Sequence, residues 1–140
     1  MTQPNSLCFG RFIVDLPEGA EIQDMGQQSE YMFGEIRSVP FDGGIDGFER
    51  KMRQREAELK AVNDNDGRAL KDSISLSPTT KILVTAEKIF GRYDFGFEAY
   101  KLDRNLLFSL KEKNFEENVF KREVLLDLKK ELLPNLRARK

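Results

Sequence analysis

A single cysteine, Cys8, and the lack of any histidine bound the chemistry open to this chain. Without histidine there is no Ser-His-Asp or Cys-His triad, no imidazole acid–base catalyst and no histidine-containing zinc site. One thiol also cannot build an all-thiolate site or an iron–sulfur cluster. Cys8 stands in CFGRFIVDLP, residues 8–17, where Arg11 offers a cation for a thiolate, although a small hydrophobe on a buried strand face is the commoner role of a free cysteine. Carboxylates are plentiful, and two of them about 5–10 Å apart suffice for glycoside hydrolysis. Asp15, Glu35 and Asp42 are candidates, but among 24 acidic residues chance pairing is expected. NDNDG at 63–67 places Asp64, Asp66 and Gly67 at calcium-loop positions three, five and six, yet positions one and twelve fall on Val62 and Ser73, so two oxygen ligands are missing. GRYDFGF at 91–97 precedes no helix, so its glycines form no phosphate cradle. No catalytic, metal or cofactor residue is expected, and a non-catalytic binding or inhibitory role remains.

Charge separates along the chain. Residues 1–50 hold three basic and nine acidic side chains, near −6, whereas residues 101–140 hold eleven basic and seven acidic, near +4. The basic stretch KEKNFEENVFKREVLLDLKKE interleaves its cations with carboxylates, which argues against nucleic acid and against insertion into anionic membranes. No run approaches the roughly 20 apolar residues of a membrane-spanning helix, and MTQPNSLCF lacks the basic and apolar regions of a secretory signal. A lone thiol fits either a reducing compartment or a fragment whose partner cysteine lies elsewhere.

The elements that position these residues follow from periodicity. Residues 8–16 alternate as one strand, closed by the turn chemistry of LPEG. Weaker strands are expected over 20–25 and 29–41, the latter with Gly34 inside and Pro40 at its end. Ile45, Phe48, Met52, Leu59 and Val62 then recur at helical spacing, with Asp42 or Asp46 as N-cap and NDNDG as terminator. RALKDSISLS, KILVTAEKIF, FGFEAYKLD and LLFSLKEK read as four strands joined by turns at SPTT, GRYD and RN. Asn114 and Glu117 have capping-box spacing before a helix striped by Phe120, Val124, Leu125, Leu128 and Leu132, which Pro134 ends, leaving 134–140 as a frayed tail. Of the aromatics in or beside strands and loops, Phe33, Phe41, Tyr93 and Phe97, most belong to the core and a minority at one edge would anchor a protein partner. The expectation is one α+β domain over 1–140, a mainly antiparallel sheet of about six strands with two amphipathic helices packed on one face.

CFGRFIVDLPEGAEI, residues 8–22, carries a likeness through Cys8, Gly10, Arg11, Phe12, Asp15 and Pro17. It resembles the start of the N-terminal domain in a family of bacterial type VI secretion immunity proteins that neutralise phospholipase effectors. The order of a charged helix followed by strands is similar too. The resemblance implies an immunity or inhibitor domain whose partner is a cognate phospholipase, which works in the periplasm of a Gram-negative bacterium and blocks access to the effector's active site. Family members carry a signal and a second, C-terminal domain, so residues 1–140 are expected to be the N-terminal portion of a longer protein, monomeric alone. A lipase that engages anionic membranes presents basic surface. The partner-binding patch is therefore placed on the acidic turn Glu18, Glu21 and Asp24 and the loop Asp42, Gly43, Gly44 and Asp46. A reading of a different class is a structural or assembly module of a secretion system that binds through an exposed sheet edge. A carboxylate-dependent enzyme ranks last, since no recognisable spacing organises its acids.

Overall fold

The computed structural model describes residues 5–9, 12–16, 20–22 and 36–138, with side chains described from Ile36 onward except that of Glu131. The central sheet has five antiparallel strands in the order β4-β8-β7-β6-β5: β4 Arg37–Pro40, β5 Ala69–Ser77, β6 Thr80–Ile89, β7 Arg92–Asp103 and β8 Leu106–Phe115. The last four form the expected meander. Helix α1, Gly44–Lys60, links β4 to β5, and a second helical run, α2, covers residues 117–135. Two small pairs complete the described residues: β1 (Asn5–Phe9) with β2 (Phe12–Leu16), and β3 (Ala20–Ile22) with β9 (Leu136–Ala138). The α+β class and its antiparallel sheet stand as expected.

The helices, however, pack on opposite faces rather than one. Ile82, Val84 and Ala86 of β6, Phe95, Phe97 and Ala99 of β7, and Phe108 and Leu110 of β8 join Phe120, Val124, Leu128 and Leu132 of α2. The intervening residues Leu83, Tyr100, Leu102 and Leu107 pack with Phe48, Met52 and Leu59 of α1. The physical reason is the two-residue period of a strand: Ile82, Leu83 and Val84 are all buried, and consecutive residues point to opposite faces, so each face needs its own cover. Burying side chains of this size is worth about 1.5–3 kcal/mol each.

Four further expectations are corrected. The single strand over 8–16 is a pair of strands with Phe9 opposite Phe12, because two residues including Gly10 separate two apolar runs, a hairpin pattern. The frayed tail holds β9, with Leu136 and Ala138 buried, because apolar side chains after Pro134 can still reach the core. Neither Asp42 nor Asp46 caps α1. Gly43 occupies the cap without a side-chain bond and Asp46 lies in the first turn, where its charge complements the helix dipole. Glu116 takes the cap position of α2, so the Asn114 capping box does not form. The strand expected over 29–41 appears as β4; Phe33, Gly34 and Glu35 lie outside the described residues.

Residues 120, 124, 128 and 132 of α2 are buried at a strict spacing of four, wider than the 3.6-residue turn of an α-helix. The helix meets that spacing by adopting π turns at Phe120–Val124 and Leu128–Leu132, which hold the stripe over the sheet. Phe120 sits 5.8–6.2 Å from the ring centres of Phe95, Phe97 and Phe115. Gly96 makes that cluster possible. It lies at a register shift between β7 and β8, where a Cβ would come within 2.5 Å of the Glu112 carbonyl oxygen and 3.0 Å of Lys113 Cα. Gly96→Ala is therefore expected to destabilise the domain by about 1–3 kcal/mol, the usual scale of overpacking. Urea unfolding with an unchanged midpoint would refute this account of the bulge.

Candidate functional site

Four of the seven residues expected to bind a partner lie together. Asp42, Gly43, Gly44 and Asp46 form the exposed entrance to α1, with Ile45 half exposed among them. Gly44 has φ +64, a left-handed conformation that suits glycine. The segment rests on the half-buried Phe41 ring, which lies 3.0 Å from where a Cβ of Gly43 would be. The Phe41 amide donates to the Asn105 carbonyl at 2.8 Å, fastening this loop to the β7–β8 turn.

Glu21 is placed by its strand alone, opposite Arg137 in the β3–β9 pair. The Ala138 amide donates to Asp103 Oδ2 at 2.6 Å, so β9, and with it β3, sits at the same end of the sheet as Asn105. Glu18 and Asp24 lie outside the described residues. Of the carboxylates weighed for hydrolysis, Asp15 is in β2 and Asp42 at the α1 entrance, while Glu35 is outside the described residues. NDNDG is a turn: the Asp66 and Gly67 amides donate to the Asn63 carbonyl, and Asp64 pairs with Lys71 at 2.6 Å. Among the described residues, no group of three His, Cys, Asp or Glu side chains is arranged to hold a metal.

Sequence reasoning missed the polar centre of the α1 face. Glu98, on β7 and 9% exposed, receives both Nε and an Nη of Arg55 at 2.8 and 2.6 Å and the Tyr100 hydroxyl at 2.6 Å. Burial pushes the Glu98 carboxyl up, but the bonds from Arg55 and Tyr100 outweigh it and hold it below the usual range. Burial and then the Glu98 carboxylate push the Tyr100 hydroxyl up, and the pairing raises Arg55. Arg55 and Tyr100 border a cleft of about 420 Å³ that also includes Lys51, Glu58 and Lys111. Each partner here already satisfies another, so the arrangement holds α1 to the sheet. On the opposite face a cleft of about 520 Å³ runs between α2 and β5–β7 over Val84, Phe95 and Phe120. Its lysines, Lys71 and Lys121, are paired with Asp64 and Glu117.

The sheet edges are poor templates for an added strand. β4 has four residues and ends in Pro40, and β5 carries two register shifts with exposed Lys71 and Asp72. Nothing in these edges favours the assembly-module reading.

A family model described as the Tle cognate immunity protein 4 N-terminal domain matches residues 5–139. No curated protein and no solved structure matches the chain.

The Glu98 pairing generates a pH prediction. Its folded pKa lies below the ordinary 4.5, so its contribution to stability is complete above about pH 4.5 and is lost as pH falls through the lowered folded value. Glu98→Gln is expected to cost about 2 kcal/mol at neutral pH, a figure discounted because Arg55 is 34% exposed, and to flatten the acid limb of stability. Chemical denaturation of both proteins between pH 3 and 7 measures this; parallel curves would exclude Glu98 as the titrating group.

Proposed function

The chain belongs to the Tle cognate immunity protein 4 N-terminal domain family, a type VI secretion immunity family, and on that premise we propose that it binds a cognate Tle lipase effector in the periplasm and blocks access to its active site. The observation that carries the reading is the family match, which runs from residue 5 to residue 139. Inhibition of this kind needs no catalytic group. It needs a rigid patch of about 800 Å² that meets the effector and obstructs substrate access or lid movement.

In this reading the end of the sheet that bears Asp42, Gly43, Gly44 and Asp46 supplies part of the patch, with Glu21 on β3 at the same end and Glu18 and Asp24 beside it in sequence. Supporting it are the exposure of the loop and its fastening through Phe41 to the β7–β8 turn, which hold four candidate residues in fixed relation. Carboxylates so placed steer a basic partner surface into encounter.

The test is inhibition of a candidate cognate phospholipase by the purified chain, with calorimetric titration alongside. Tight binding with loss of lipase activity is expected. Binding without inhibition would assign docking to this domain and blocking to another part of the protein, and no binding would remove the lipase reading. For the site, reversing Glu18, Glu21, Asp42 and Asp46 to lysine is expected to slow association by about tenfold at low salt with less than about 1 kcal/mol lost in stability. Unchanged kinetics would remove the site assignment and leave the family reading standing.

A further inference from the structure

The β6–β7 turn presents an aromatic side chain for which folding gives no reason. Phe90 is 102% exposed, with Ile89 at 44% and Tyr93 at 42% beside it. Ile89 pairs with Arg92, so Phe90 and Gly91 form a two-residue hairpin loop, and both have positive φ, at 50° and 77°. Such a loop favours Asn-Gly, because an L side chain at the first position is strained in the left-handed region. A phenylalanine there packs on nothing and strains its own backbone.

The turn stands on a rigid base. β6 pairs with β7 over all ten of its residues, the Lys88 amide donates to the Asp64 carbonyl at 2.8 Å, and Arg68 ties Asp94 to Thr85. The carboxylates behind the tip are engaged, Asp94 and Glu87 by Arg68 and Asp64 by Lys71. Lys88 and Arg92 lie two residues before and after Phe90 in the chain and are exposed. The result is a preorganised apolar knob between two cations.

We infer that this tip is an anchor that inserts Phe90 into an apolar cleft of the effector, of the kind that accepts acyl chains, with Lys88 and Arg92 meeting carboxylates at the cleft rim. The inference rests on the reading of the chain as a lipase-directed immunity domain. A phospholipase must keep an apolar groove open to its surface for its substrate's chains, and an exposed ring on a rigid turn has the shape and chemistry to fill one. A bilayer fits less well. One ring and a half-exposed isoleucine offer little apolar area. The acidic loop at 42–46 lies at the other end of the sheet, about 30 Å away along the strands, so the two contacts can be tested separately.

Phe90→Asn separates anchoring from folding, because asparagine suits the turn. The variant is expected to melt about 3–6 °C higher while binding the candidate cognate phospholipase about 30-fold more weakly by titration calorimetry. Wild-type binding that Phe90→Asn leaves intact would overturn the anchor and spare the immunity reading. Absence of wild-type binding would overturn both. Phe90-dependent co-sedimentation with phosphatidylethanolamine and phosphatidylglycerol vesicles, without effector, would overturn the anchor in favour of a membrane contact.

Discussion

Two-sided burial of β6 and β7 is the constraint from which the rest of the structure follows. These strands carry side chains that must leave water on both faces: Ile82, Val84, Phe95 and Phe97 on one, and Leu83, Tyr100 and Leu102 on the other. A sheet with one covered face would leave several of these in solvent, an apolar area beyond what soluble surfaces carry. The chain meets the demand with one helix inserted before the meander and one after it. The order of elements along the sequence is therefore also the order of layers, α1 on one face and α2 on the other.

That arrangement imposes polar and steric conditions of its own. Glu98 occupies the α1 face of a strand that α1 must cover, so its carboxylate is buried and requires partners. Arg55 reaches it from the helix and Tyr100 from the same strand, and the bidentate geometry fixes where α1 lies against the sheet. On the other face the condition is shape. The register shift at Gly96 lets Phe95, Phe97 and Phe115 all reach Phe120, and the π turns of α2 keep a stripe of period four aligned over them.

Much of this was legible in the sequence, and the failures have physical causes. The meander, α1 and the start of α2 follow from alternation, helical spacing and turn residues, which are local signals. The second covered face was also written there, in the unbroken run Ile82-Leu83-Val84, but a run without alternation is weaker evidence of a strand than alternation is, and its meaning depends on what covers it. β9 was not legible because a three-residue strand shows no periodicity. Its place depends on β3, more than a hundred residues earlier. The Arg55–Glu98 pair joins residues 43 apart that look like ordinary surface charges. Phe90 read as a strand residue because GRYD looked like the turn, and cross-strand register, which no local pattern fixes, makes the loop Phe90–Gly91 and puts Arg92, Tyr93 and Asp94 in the strand. Of the candidate partner residues, Asp42, Gly43, Gly44 and Asp46 were singled out because glycine and aspartate cluster before a helix. The same cluster also serves helix initiation, which is why chemistry alone did not separate the two roles.

The layering also decides where recognition can occur. Both faces of the central sheet lie under helices, and both edges are blunted, one by its shortness and Pro40 and the other by register shifts. Among the residues described from Ile36 onward, the outer surface of the helices and the two ends of the sheet remain open to a large partner. Charged side chains on the helices are spread around their exposed sides and supply no concentrated feature. The ends do: one carries the acidic entrance to α1 held by Phe41, the other the Phe90 hairpin between Lys88 and Arg92. Turns are less committed than strands to the core, so they can carry charge and exposed aromatics without disturbing the two-sided packing. A fold that uses both its faces for stability leaves its ends free of that demand, and in this chain the ends differ in chemistry, one bearing carboxylates and the other an exposed apolar ring.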